Sequence, residues 1–337
     1  MNHNKIDKKR LTIIIMLFFS IAVLLAVADR APLHLEKQCS CVHFTTDVSD
    51  FIYGVTQSTA SGPYVYRVFI PYLATGLHYV MPFLTFIDID LLLKIFFLII
   101  CQLIFYYYLQ IFYSSFVSIV GVFILDILLG FTFSSILGPS IGENADLLNI
   151  VVYLISLIAL YKNSFGYLLL ILFIGTFNRE TTWLLIPIIF LYDYFSKRSL
   201  YRTLLAGLAV AIPYFGLRLI IQTDSPVWFT FDGIIRNIPF LSFETTGKAL
   251  VANAHTVFLL GPLIILSILN FNKHPEFLRL ISYITPVFIV LHYLFGSIIE
   301  ARLWIPLFII LIPLSLNTLS LIFDAQLHPS SNYLQAK

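Results

Sequence analysis

Charged side chains are scarce in this 337-residue chain: Asp, Glu, Lys and Arg together make up 11% of it. Soluble domains carry roughly 25%, so the deficit excludes a soluble enzyme, a nucleic-acid-binding module and a disordered scaffold. The 20 basic and 18 acidic residues leave a net charge of only +2, too small to attract polyanions. Cysteine is also rare. Three cannot all pair; Cys39 and Cys41 form a C-x-C without the further Cys or paired His of a zinc site, and Cys101 lies in an apolar run. There is no Walker A loop, G-x-S-x-G, G-x-G-x-x-G or H-E-x-x-H. ATP-driven transport and α/β-hydrolase chemistry therefore have no support. Internal repeats, low-complexity tracts and matched broken helices of the inverted-repeat transporter kind are absent too.

What is present is apolar. Hydrophobic residues make up 59% of the chain, with 32 Phe and 19 Tyr, and the mean hydropathy is +0.91. Each membrane-spanning helix needs only ~20 apolar residues, so one polytopic bundle fits the length better than two soluble domains. The basic tail Met1–Arg10 precedes an uncharged run, Leu11–Ala28. Ala26-Val27-Ala28 resembles a signal-peptidase site. The 18 residues of the run also suffice to span, and an uncleaved first span with its tail inside is the favoured reading. Further apolar segments run over Arg67–Phe86, Leu91–Phe112, Phe116–Leu137, Leu147–Tyr161, Gly166–Phe177 and Thr181–Phe195. Four more follow, at Thr203–Ile221, Ala249–Leu269, Leu278–Gly296 and Leu303–Phe323.

Charge asymmetry orients them. Ser196–Arg202 and Asn270–Arg279 are basic and read as cytoplasmic, while Asp29–Tyr66 and Gln222–Lys248 read as external. Seven apolar segments separate the N-tail from Ser196–Arg202, but the two belong on the same side, so one segment must fail to cross. Phe116–Leu137 is the favoured candidate, with Asp126 near its centre, Gly130, and Ser134-Ser135. A broken re-entrant hairpin there is tolerated where it lines a cavity. The rival is one long helix from Gly166 to Phe195. The expected fold is an all-α polytopic transmembrane bundle of about ten spans plus one re-entrant segment. Residues 1–323 form the membrane domain, both termini are cytoplasmic, and 324–337 form a flexible tail.

Candidate chemistry gathers on the external half. In the first loop, Asp47 and Asp50 share a helical face with each other and with Tyr53. A carboxylate in a partly dry site is a natural general base for a hydroxyl, although Asp47 can also serve as an N-cap. Arg67 can anchor a span or grip a phosphate through its planar fork. Glu143 and Asp146 stand at a helix start, as caps or as further carboxylates. The Gly166–Phe177 segment has 12 residues and climbs only ~18 Å of a ~30 Å hydrocarbon core. Arg179 and Glu180 therefore lie at or below headgroup level, and as helical neighbours they point apart and need separate partners. Glu300 and Arg302 form another charged pair at a span mouth. Asp88-Ile89-Asp90 resembles a metal-binding D-x-D, but at a helix start it reads as capping. No metal-ligand spacing stands out, and whether a divalent cation assists is left open.

The loop Asp47-x-x-Asp50-x-x-Tyr53, its continuation Tyr66-Arg67-x-x-x-Pro71-Tyr72, the break Asn178-Arg179-Glu180 and the late Glu300-x-Arg302 together resemble the GT-C class of integral-membrane glycosyltransferases, in pattern, over about Leu11–Phe323. The resemblance implies a polyprenyl-phosphate-linked sugar donor and an external active site in a bacterial plasma membrane, serving cell-envelope polysaccharide biosynthesis. It also implies inverting transfer assisted by a first-loop aspartate. Asp50 or Asp47 would take that role, and Arg179 or Arg302 would face the lipid phosphate. The chain departs from the class in having no large C-terminal external domain. Its acid pair is also not the class's commonest D-x-D or E-x-D form. The competing readings are a secondary transporter or lipid flippase, in which Asp126 and His292 would dominate, and a non-catalytic assembly subunit that tolerates loss of every charge. The bilayer and the lipid-linked donor are the implied partners. Oligomeric state, sugar and acceptor are not encoded in any motif.

Overall fold

A computed structural model describes residues 8–36, 48–60, 64–133, 143–221, 237–238, 246–296 and 300–323. Within them every regular element is a helix. Helix α1 covers Lys8–Glu36, α2 Val48–Thr56, α3 Phe69–Val80 and α4 Phe86–Gln110. The middle of the chain forms α5 (Ser115–Phe133), α6 (Glu143–Tyr161), α7 (Phe165–Asn178), α8 (Leu185–Phe195) and α9 (Tyr201–Ile220). Then come α10 (Thr246–Ile268), α11 (Glu276–Ser282), α12 (Ile284–Phe295) and α13 (Ile305–Ile322). Seven stretches are long and apolar enough to cross a membrane: α4, α5, α6, α9, the described part of α10, α11 with α12, and α13 with the turn before it. They mark an integral membrane protein.

Local chemistry sets several boundaries. Pro82 has no N–H to donate and disfavours the α conformation at Met81, so α3 stops at Val80. Thr85 then opens α4 with a reciprocal capping box, in which its hydroxyl accepts from Asp88 N–H and Asp88 accepts from Thr85 N–H. The capping role expected for this acid pair thus falls to Asp88. Asp90 instead accepts from the Asn144 amide at 2.6 Å.

Helices α6 and α13 are the bundle's interior, buried on nearly every face; α9 lies at the periphery. Glycine lets α7 close on α6: a Cβ built at Gly175 would stand 2.5 Å from Val152 Cγ1. One end of the bundle is aromatic and basic. Phe112, Tyr161, Tyr192 and Phe277 interlock there at centroid distances of 5.2–5.5 Å, and Asn163 Oδ1 accepts from both Arg198 and Arg202. The base of α7 and the far end of α8 therefore meet, so Gly166–Phe195 is a hairpin of two helices and not one long helix. Its tip, Asn178–Leu184, lies at the opposite, charged end.

Two expectations change. Phe116–Leu137 is unbroken helix as far as Phe133, and residues 134–142 lie outside those described. Broken backbone is unnecessary because Gln102 of α4 donates to both Asp126 oxygens at 3.0 Å, which satisfies the carboxylate inside an intact helix. The segment that fails to run the length of the bundle is Arg67–Phe86. Arg67, before α3, contacts Glu180, and Phe86, after it, packs on Tyr53 of α2, so both flanks sit at the charged end.

Candidate functional site

Helix α6 starts at this end with Glu143, Asn144 and Asp146, all buried. Asp146 is 2% exposed and cannot remain charged without partners. Two arginines supply them. Arg179 follows α7 in an extended conformation (φ −156°, ψ 138°) that turns its side chain back to an ion pair with Asp146. Arg302 lies in the 3-10 turn Ala301–Trp304 and reaches Asp146 at 3.6 Å. It also donates to Glu300 at 2.8 Å and to the Tyr64 hydroxyl at 3.4 Å. Asn178 Nδ2 donates to Ala145 O, pinning the hairpin tip to the start of α6.

Glu180 turns the other way. It accepts from Arg67 Nη2 at 2.5 Å and Nε at 3.2 Å, a bidentate grip across 113 residues. Burial pushes the Glu180 carboxyl up, but the Arg67 charge and hydrogen bonds outweigh it and hold the group down to about 2. The expectation that Arg179 and Glu180 need separate partners is realised with α6 on one side and the Tyr64–Arg67 turn on the other. Glu143 pairs with Lys94 of α4.

Asp146, Asn149, Arg179, Thr181, Arg302 and Pro306 line a small recess of about 10 Å³, room for one water molecule. Asn149 Oδ1, Thr181 Oγ1 and Arg179 Nε have no hydrogen-bond partner among the described residues. Two guanidinium groups and open amide and hydroxyl oxygens have the chemistry to bind an oxyanion, which the recess would have to widen to admit. No group of three His, Cys, Asp or Glu side chains among the described residues is placed to hold a metal.

The site residues expected from sequence divide as follows. Arg67, Glu143, Asp146, Arg179, Glu180, Glu300 and Arg302 gather at one end of the bundle. Asp50 lies exposed on α2 and is not among the residues lining the recess, and Asp47 is outside the described residues. Sequence reasoning passed over Lys94, Asn149, Thr181 and Arg218. The signal for Lys94 and Arg218 was a lone cation inside an apolar run; for Asn149 it was a position three residues after Asp146, on the same helix face. Neither a family model, nor a curated protein, nor a solved structure matches the chain.

Proposed function

We propose that this chain is a membrane glycosyltransferase that moves a sugar from a polyprenyl-phosphate-linked donor to an acceptor at the charged end of the bundle. On this reading ten helical passes cross the membrane: α1, α4 to α10, α11 with α12, and α13. Helix α3 is the segment that does not cross. The basic end faces the cytoplasm, and the charged end is external.

The observation that carries the proposal is the recess shared by Arg179 and Arg302. The two come from distant parts of the chain, both are nearly buried, and Asp146 holds both. The donor's phosphate enters between the guanidinium groups as the recess widens, and Asp146 keeps them aligned when the site is empty. Asp50, open to solvent on α2, takes the acceptor hydroxyl proton, with Asp47 as the alternative base. The acceptor oxygen bonds to the anomeric carbon as the carbon–oxygen bond to phosphate breaks, and polyprenyl phosphate leaves. Preorganised cations in a water-poor site stabilise that developing charge.

The test is transfer of radiolabelled sugar from a polyprenyl-phosphate pool in membranes. Asp50→Asn removes basicity at constant shape and should lower the rate by ~10²–10⁴. Arg302→Lys should also impair transfer, because an ammonium cannot reproduce the planar fork. Full transfer by both Asp50→Asn and Asp47→Asn would refute the first-loop base. Absent transfer in wild type, together with solute uptake that Asp126→Asn abolishes, would favour a transporter.

A further inference from the structure

Among the described residues, four arginines serve the charged end, and three of them face carboxylates there: Arg67 meets Glu180, Arg179 meets Asp146, and Arg302 meets Asp146 and Glu300. Arg218, in the last turn of α9, does not. Its guanidinium lies between two rings, with Cζ 3.7 Å from the centroid of Tyr214 and 4.3 Å from that of Tyr66. Its one hydrogen bond among the described residues is a long 3.4 Å contact from Nη1 to Tyr214 O. Ring contacts of this kind engage the face of the guanidinium plane. A bidentate phosphate contact uses its N–H edge instead.

The turn that holds Arg218 also organises the recess. Within Tyr64–Arg67, the Tyr64 hydroxyl accepts from Arg302, the Tyr64 ring carries Arg67 at 4.9 Å, and the Tyr66 ring carries Arg218. A snorkelling anchor would extend toward headgroup water; here the half-buried side chain contacts two tyrosine rings. Helix α9 is also the most exposed of the candidate spans, whereas the span ending in α13 is mostly buried. Leu204, Leu208, Ile212, Phe215 and Leu219 form one bare apolar face along it, and that face leads up to Arg218.

We infer that Arg218, stacked between Tyr66 and Tyr214, is a binding residue for the phosphate of a membrane lipid whose hydrocarbon chain lies along the exposed face of α9. The identification of that lipid as the sugar donor rests on the transferase reading; the phosphate subsite itself does not.

The experiment uses the full-length protein in phosphatidylcholine nanodiscs, with binding read by native mass spectrometry. One arm adds polyprenyl monophosphate and the other adds inorganic phosphate. Wild type should bind the lipid phosphate saturably and bind inorganic phosphate far more weakly. Arg218→Gln should weaken lipid binding at least tenfold, and Arg218→Lys, which keeps the charge and fills the gap between the rings, should recover part of it. Unchanged melting temperatures establish that the variants fold; if Arg218→Gln does not fold, Arg218→Lys against wild type decides, and equal affinity overturns the inference. Wild-type affinity in Arg218→Gln, or no lipid binding by wild type, overturns it too. Equal, Arg218-dependent binding of inorganic phosphate would overturn the lipid assignment. The transferase reading is separable. If Arg302→Lys weakens binding and Arg218→Gln does not, the subsite fails and the clamp stands. The reverse result keeps the subsite and removes the clamp.

Discussion

A carboxylate at 2% exposure is tolerable only beside cations, and Asp146 has two, Arg179 and Arg302. Arg179 is itself 2% exposed, so removing the carboxylate strands a guanidinium in the protein interior. Breaking one partner of such a buried pair costs about 3–5 kcal/mol. Asp146→Ala should therefore lower the melting temperature of the purified protein markedly. Glu300→Ala should do so far less, since that side chain is 39% exposed and its ion pair is partly screened. Equal thermal shifts for the two variants would contradict the central place given to Asp146.

At the scale of elements, the hairpin of α7 and α8 delivers Arg179. Its tip is set by Asn178 bonding to Ala145 O and by the Tyr153 hydroxyl donating to Thr181 O at 2.7 Å, both from α6. The close approach that makes these contacts depends on Gly175, where any side chain meets Val152. Gly175→Val should overpack this seam and cost about 1–3 kcal/mol. Gly166→Ala, at a position with open space around it, should leave the melting temperature near wild type. If both variants melt with wild type, α7 does not rest on α6 in the way described.

For the whole molecule, the arrangement of the two ends makes a topological prediction. The N-terminal start of α1 and the C-terminal end of α13 both lie toward the basic end, since Phe18 packs on Tyr106 and Asn317 bonds to His274. In a chain with its native cysteines replaced, Gln57→Cys and Asp232→Cys should be labelled by an impermeant thiol reagent added outside. Ser199→Cys, in the basic turn between α8 and α9, should not. Labelling at 199 would invert or break the ten-pass arrangement.

Much of this was legible in the residues themselves, because some constraints act locally. Scarcity of charge set the membrane class, since an apolar chain of this kind cannot bury itself in water. The short run before Arg179 forecast a helix that ends at Asn178, and Asp88-Ile89-Asp90 forecast a capped start, which Asp88 makes with Thr85. Parity pointed to Phe116–Leu137 as the segment that fails to cross, because Asp126, Gly130 and Ser134-Ser135 suggested a broken hairpin, whereas the helix is continuous as far as Phe133. Only the tertiary structure supplied Gln102 as the partner of Asp126, and only there did Pro82 prove to end the short helix α3. The partners of the buried charges were likewise beyond the sequence: Arg67 finds Glu180 across 113 residues and Arg302 finds Tyr64 across 238. Local pattern carries helix position and membrane class, which depend on residues a turn or two apart. Packing of distant helices decides which arginine meets which carboxylate, and that Arg218 meets two tyrosines and, among the described residues, no carboxylate.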